Sequence, residues 1–213
     1  ARQLIDGGHA RPQQLERHGL RLVQDHHAAR DVVQLAALRG SGREQAFVDA
    51  ARRVVAKCFP DLGATPDYTA IVNDRHYHRL QAYVDDARQR GARIEPLSPA
   101  QPDAARRKLP PLALLDVNDD MRVMQDEIFG PLLPVLPYRD LDAAIAWVNQ
   151  HPRPLALYFF GNDGAQRDRV LEETVAGGVT INDTILHIAQ ENLPFGGVGP
   201  SGMGHYHGSE GFK

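Results

Sequence analysis

Residues 124–138 read Met-Gln-Asp-Glu-Ile-Phe-Gly-Pro-Leu-Leu-Pro-Val-Leu-Pro-Tyr, and this stretch predicts a loop that is fixed to a strand. An acid, an aromatic ring and a Gly-Pro pair fall within five consecutive positions, Glu127 to Pro131. Gly130 lets the backbone turn or pass close to another group, and Pro131 prevents a helix from continuing. The apolar run Leu132 to Leu136 follows directly. We therefore expect a carboxylate and a phenyl ring to be held beside the end of a strand.

Taken alone, this stretch also fits an ordinary connection between a helix and a strand, with Glu127 in solvent and Phe129 in the core. Its residues Glu127 to Pro131 are similar, one for one, to the Glu-(Ile/Val)-Phe-Gly-Pro signature of the aldehyde dehydrogenase superfamily. A second segment, 192–208, reads Asn-Leu-Pro-Phe-Gly-Gly-Val-Gly-Pro-Ser-Gly-Met-Gly-His-Tyr-His-Gly. It resembles the glycine-rich segment of the class-3 and coniferyl-aldehyde-dehydrogenase branch. Both motifs stand in the family's order and at about its spacing.

The resemblance covers residues 43–213 and implies the C-terminal part of the catalytic region of an aldehyde dehydrogenase. It implies an incomplete α/β domain, in which a mostly parallel sheet carries helices on both faces. The residue pattern points the same way, because strand and helix signals alternate with short links. We expect helices over roughly 43–58, 74–90, 140–151 and 163–174, and strands over roughly 93–95, 112–117, 132–136, 155–160 and 179–182.

The same resemblance assigns roles to individual side chains. It implies that Glu127 holds the nicotinamide ribose of NAD or NADP and that Phe129 flanks the nicotinamide ring. A carboxylate is suited to this role because it accepts hydrogen bonds from sugar hydroxyls. Phe195 is implied to lie near the aldehyde and the nicotinamide, and Asp183 and Thr184 at the mouth of the substrate channel. The latter two follow a predicted strand, and ligands of such sheets bind at carboxyl ends of strands.

Residues 1–42 differ from the rest of the chain. They hold four of the ten histidines, and no aromatic residue precedes Phe47. The apolar residues of this segment do not keep a helical period for long, so we expect the segment to be weakly structured. An out-of-frame reading of the coding sequence would explain its composition, and translation of the upstream DNA in the other two frames tests that hypothesis.

The family carries its nucleophilic cysteine in a Gly-Gln-x-Cys stretch, which by resemblance would fall within residues 20–40. No cysteine stands there. The family's general-base glutamate and oxyanion asparagine belong to still earlier sequence. We therefore assign no catalytic residue to this chain and predict that it is inactive by itself.

Composition excludes several classes of partner. Hydrophobic residues make up 42% and charged residues 24% of the 213 positions, as in ordinary globular proteins. A net charge of -3 and a pI near 6.4 provide no general field for nucleic acid or anionic lipid. No apolar run approaches the roughly 18 residues of a membrane span. A single cysteine fits a reducing compartment, so we expect a cytoplasmic protein with no nucleic acid or membrane partner.

The cysteine and the histidines are candidates for a nucleophile and for metal ligands. Cys58 recurs with apolar residues at helical spacing, which predicts a small buried hydrophobe; a nucleophile needs an exposed thiol beside a base. The pairs His205/His207 and His76/His78 lack the further ligands of a closed metal site, and the latter pair points about 200° apart on a helix. We therefore expect no metal, and a structural hydrogen-bonding role for His207.

The sequence as a whole predicts a fragment of an NAD(P)-dependent aldehyde dehydrogenase. By resemblance, the intact enzyme oxidises an aldehyde, coniferaldehyde-like in the relevant branch, to a carboxylate and forms a homodimer. The alternative is a non-catalytic oligomerisation or interaction module derived from the same fold, because an incomplete domain exposes apolar faces.

Overall fold

The computed structural model describes residues 21–25, 35–40 and 42–212. Its strands are β1 (Arg21–Asp25), β2 (Leu35–Arg39), β3 (Arg93–Pro96), β4 (Leu112–Leu115), β5 (Leu132–Tyr138), β6 (Ala156–Phe160) and β7 (Gly178–Ile181). Its helices are α1 (Glu44–Cys58), α2 (Asp74–Gln89), α3 (Arg122–Gln125), α4 (Leu141–Gln150), α5 (Gly164–Glu173) and α6 (Gly208–Phe212). The described strands form one seven-stranded sheet in the order β3-β4-β5-β2-β1-β6-β7.

Most strands of this sheet run in one direction. Strand β5 is parallel to both β2 and β4, and β6 is parallel to β7. Strand β1 is antiparallel to its neighbours β2 and β6, and β3 is antiparallel to β4. Five of the seven described strands therefore share a direction, and their amino ends meet at one edge of the sheet. The mostly parallel sheet predicted above is confirmed.

Local chemistry explains where the longer helices begin. The side chains of Asn73, Asp140 and Asp163 each accept a hydrogen bond from a backbone N–H of the first turn, at 2.9, 2.9 and 3.1 Å. Such N-caps satisfy donors that have no partner within the helix. Helices α2, α4 and α5 begin directly after these caps.

Two apolar clusters lie on opposite faces of the sheet. Successive residues of β4 alternate between them: Leu114 joins the cluster that includes α2 and α4, whereas Leu115 joins the cluster that includes α1. This alternation follows from the two-residue period of a strand. Helices therefore cover both faces, as expected. No helix among the described residues combines the length and apolar character that crossing a bilayer requires.

The segment 1–42 contains two strands that the sequence pattern did not indicate. Strand β2 lies between β5 and β1, and its Ala36 and Leu38 are buried. The run Leu35 to Leu38 is apolar throughout, which is typical of a strand that is covered on both faces. A test for a helical period does not detect such a strand. Residues 1–20, 26–34 and 41 lie outside the described residues.

The expected burial of Cys58 is wrong. Its side chain is exposed at the last residue of α1. The stripe that packs on the sheet runs through Phe47, Ala51 and Val55, and Val54 is 47% exposed. Val54 and Cys58 are four residues apart, so they share the neighbouring, solvent-facing side of the helix. The helical period of α1 is as predicted, but its buried stripe does not include Val54 or Cys58.

Candidate active site

The loop that carries the first motif joins α3 to the amino end of β5, and we call residues 126–131 the Glu127 loop. Ile128 anchors it in the core with no exposed surface. The Pro131 carbonyl accepts a hydrogen bond of 2.9 Å from the backbone N–H of Leu112, at the start of β4. The loop is thus fixed at the edge of the sheet where the parallel strands begin.

Helix α2 holds this loop through Arg79, a residue that the sequence reasoning missed. Its guanidinium donates to the Glu127 and Ile128 carbonyls, both at 2.7 Å. It also donates to the Tyr83 hydroxyl at 2.9 Å, and that hydroxyl donates to Asp126 at 2.8 Å. Burial raises the pKa of Tyr83, which keeps the hydroxyl protonated as a donor. The only local signal was that Arg79 and Tyr83 are four apart and share a helix face.

Close packing and backbone strain shape the end of the loop. A Cβ on Gly130 would come within 2.5 Å of the Leu80 side chain on α2, so any larger residue there would force Leu80 to shift. Phe129 has a φ of +48°, which is costly for a residue with a side chain. Its ring is 58% exposed, so the reading of Phe129 as a core residue is excluded.

The Glu127 carboxylate is incompletely satisfied. Its Oε1 atom is buried and has no hydrogen-bond partner among the described residues. A buried acceptor without a donor costs on the order of 1–3 kcal/mol. Such groups are rare in native structures and call for a specific explanation.

The glycine-rich segment folds back on itself and lies against the sheet. Phe195 and Tyr206 form an antiparallel pair, with backbone bonds of 2.8 and 2.9 Å. A Cβ on Gly196 would overlap the Gly204 carbonyl, and one on Gly177 would overlap the Gly196 carbonyl. These glycines therefore let the backbone pass close to neighbouring segments.

Aromatic rings and imidazoles surround Phe195. Ring centroids of His187, Tyr206 and His207 lie 5.8, 5.4 and 5.8 Å from that of Phe195. His207 has a φ of +82° and stacks on Phe195, and its Nδ1 is buried without a hydrogen-bond partner among the described residues. The His207 carbonyl accepts backbone hydrogen bonds from Glu210 and Gly211, both at 3.2 Å, so the residue combines ring stacking with a structural hydrogen-bonding role.

The predicted site residues do not all meet at one end of the sheet. Gly196, next to Phe195, contacts Gly177 just before β7, so Phe195 lies near the amino end of that strand. The Glu127 loop precedes the amino end of β5, which runs in the same direction. Asp183 and Thr184 instead follow the carboxyl end of β7.

The edge expected for a ligand therefore differs from the edge at which the two motifs lie. The carboxyl-end rule for parallel sheets had favoured residues 182–184. The rule locates the switch point of a doubly wound sheet, whereas this sheet contains two antiparallel strands, β1 and β3, among the seven described. The shared direction of β5 and β7 places Glu127, Phe129 and Phe195 at the edge where the parallel strands begin.

The histidine pairs have separate partners. His76 Nδ1 lies 3.3 Å from Arg79, and His78 Nδ1 lies 3.2 Å from Gln81. His205 Nε2 lies 3.4 Å from Glu210. Residues 21–25, 35–40 and 42–212 contain no group of three or more His, Cys, Asp or Glu side chains that could hold a metal ion.

Comparison with known proteins gives a consistent assignment. Residues 42–213 match the model of the aldehyde dehydrogenase family. Proteins named "Probable coniferyl aldehyde dehydrogenase" from Caulobacter vibrioides and Pseudomonas aeruginosa are 57% and 59% identical over 172 residues. These matches cover 79% and 81% of this chain but only 36% of either relative.

A solved structure extends the likeness to the fold. The substrate-bound state of Staphylococcus aureus AldH superimposes with a TM-score of 0.73 and 40% identity, covering 81% of this chain and 37% of that one. The chain thus spans little more than a third of the length of the proteins that it matches. The two motifs, the sheet that carries them and the family match agree, and the chain belongs to the aldehyde dehydrogenase family.

Proposed function

We propose that this chain supplies the nicotinamide-ribose contact and part of the aldehyde site of an NAD(P)-dependent aldehyde dehydrogenase. Glu127 and Phe129 are the proposed cofactor-binding residues, and Phe195, Asp183 and Thr184 the proposed substrate residues. The observation that carries the proposal is the unpaired Glu127 Oε1, held beside a strained and exposed phenyl ring. Strain and unsatisfied polar groups concentrate at functional sites.

The residues present fit a nicotinamide ribose. The Glu127 carboxylate retains acceptor capacity that no described residue uses, and ribose hydroxyls are donors. Phe129 is more than half exposed, and an aromatic side chain can pack against a flat ring. The chemistry that a bound NAD or NADP supplies is acceptance of a hydride. The residues that would distinguish the two cofactors belong, by the family resemblance, to earlier sequence.

The proposed substrate is an aromatic aldehyde of the coniferaldehyde type, which is oxidised to its carboxylate. Two supports exist: the names of the most similar relatives, and the rings of His187, Tyr206 and His207 around Phe195. Flat aromatic substrates pack well against such rings. The proposed intact enzyme is a cytoplasmic homodimer, in line with a single cysteine and with the family resemblance.

A chimeric enzyme tests this function. Residues 42–213 replace the matching segment of the Caulobacter relative, and NADH formation is measured with coniferaldehyde. We expect aldehyde oxidation by the chimera and, for Glu127→Gln, a KM for NAD+ raised about tenfold or more. Glu172→Gln, on the exposed face of α5, is the matched control and should leave KM unchanged. Equal KM values for the two variants would refute the role of Glu127.

A non-catalytic interaction module is the second candidate, favoured by a specific observation. Large apolar side chains are exposed along the last thirty residues, among them Ile185, Leu193, Met203 and Phe212. Exposed apolar groups favour association. Size-exclusion chromatography of the purified chain distinguishes the two: a stable monomer that unfolds cooperatively supports an independent module, and aggregation supports an incomplete catalytic domain.

A further inference from the structure

We propose that Arg79 is a positioning residue for the Glu127 loop and sets where the Glu127 carboxylate and the Phe129 ring lie. The inference rests on the proposed function for its consequence in cofactor binding. Its structural part, that Arg79 fixes the loop, stands on contacts within the described residues and can be tested separately.

The geometry matches the chemistry of a guanidinium. Arg79 Nη1 and Nη2 donate to the carbonyls of Glu127 and Ile128, both at 2.7 Å. Two parallel donors from one rigid planar group fix two consecutive peptide units at once. A lysine ammonium is a point donor on a flexible stem, so it cannot reproduce this fork.

Tyr83, on the same helix, connects Arg79 to the loop through two further contacts. Arg79 lies over the Tyr83 ring, with its Cζ 5.0 Å from the ring centroid, and donates to the Tyr83 hydroxyl. That hydroxyl in turn holds the side chain of Asp126, the first residue of the loop. The loop is therefore held from α2 at three successive residues, Asp126, Glu127 and Ile128.

This attachment ends where the strain begins. Residue 129 follows the clamped carbonyls and adopts the left-handed conformation, and Gly130 then packs against Leu80 of the same helix. Helix α2 thus fixes the chain on both sides of Phe129, while the Phe129 ring remains exposed. A strained conformation persists only where its surroundings determine it, and α2 provides those surroundings.

The test uses the chimeric enzyme described above, labelled with 4-fluorophenylalanine, with the Phe129 resonance assigned through Phe129→Leu. The variants are Arg79→Met, Arg79→Lys and the matched control Arg88→Met. Arg88 is on the same helix but pairs with Asp85 on its exposed side. The measurements are the 19F shift of Phe129, binding of nicotinamide mononucleotide, and the urea midpoint of unfolding.

We expect Arg79→Met to move the Phe129 resonance and to weaken mononucleotide binding about tenfold, beyond any change in the urea midpoint. Arg79→Lys should restore part of both effects, and Arg88→Met should cause neither. An unmoved Phe129 resonance in Arg79→Met, or a change that follows only the loss of global stability, overturns the inference. A moved resonance in a chain whose wild-type form binds no mononucleotide supports the positioning role and contradicts the proposed cofactor site.

Discussion

The position of Cys58 decides whether this side chain could serve as the nucleophile of an aldehyde dehydrogenase. It is the one cysteine of the chain, and it lies exposed at the last residue of α1. The family's nucleophile precedes the helix that here begins at Glu44, so Cys58 stands at the wrong end of that helix for the role.

Thiol labelling of the native chain checks this placement. Because the side chain is exposed, we expect Cys58 to react with a disulfide reagent in the native chain within a factor of about ten of its rate in urea. Cys58→Ser should change the free energy of unfolding by less than about 0.5 kcal/mol, as for other surface substitutions. Native labelling that requires global unfolding would show that the thiol is buried after all.

At the scale of elements, Gly130 is the point at which the Glu127 loop and α2 come closest. An added Cβ would lie 2.5 and 2.7 Å from the two Cδ atoms of Leu80, which is fully buried. We expect Gly130→Ala to lower the free energy of unfolding by about 1–3 kcal/mol, measured by urea denaturation, because the core cannot absorb the extra methyl group.

Two further variants attribute that loss to the contact. Gly63→Ala is the matched control, since its nearest neighbour would be 3.8 Å away, and it should be close to neutral. In a Leu80→Ala background the effect of Gly130→Ala should disappear, because the clashing atoms are gone. An equal loss in both backgrounds would mean that backbone conformation, and not the approach of α2, requires the glycine.

Asp86 joins α2 to α3 through its carboxylate. Its carboxylate accepts hydrogen bonds of 2.9 Å from the Arg122 backbone N–H and from the Arg90 side chain. These bonds, that to Arg122 first, lower the pKa of Asp86 below its ordinary value. A lowered native pKa stabilises the fold above the unfolded-state pKa, near 4, and this contribution is lost as pH falls through the native value.

Thermal unfolding as a function of pH tests this link. Asp86→Asn should lower Tm by about 2–4 °C at pH 7, and the difference from wild type should shrink below about pH 4. Asp85→Asn is the matched control on the same helix, because Asp85 pairs with Arg88 on the exposed side. A difference that stays constant down to pH 2 would assign the effect to side-chain shape and not to charge.

The elements that the sequence predicted correctly are those whose signals are local. Asn73 and Asp140 announce α2 and α4 because a cap acts within one turn. Strand β2 was missed because its apolar residues were read against a helical period. Arg79 was missed for another reason: its partners lie 48 and 49 residues away, and no local pattern encodes that contact. Glu127 was found through a motif, but its unpaired oxygen is visible only in the fold.

At the scale of the whole molecule, strand direction decides which residues share an edge. Strands β5 and β7 run the same way, so the Glu127 loop and Phe195 both lie at the amino edge, with β2, β1 and β6 between. Each step between neighbouring strands is about 4.8 Å, and four steps separate β5 from β7, so their amino ends are roughly 19 Å apart. The two motifs therefore lie along the same edge of the sheet, and the amino end of β2 lies between them.

That stretch of edge borders the proposed cofactor and aldehyde site. Aldehyde oxidation by this route requires attack on the carbonyl by a thiolate, and the chain has no cysteine besides Cys58. We therefore expect the purified 213-residue chain, with coniferaldehyde and NAD+, to form NADH no faster than a heat-killed sample. The chimeric enzyme described above is the positive control. Turnover by the chain that Cys58→Ser abolishes would make Cys58 the nucleophile, and turnover that survives this substitution would show that hydride leaves the aldehyde without a thiolate.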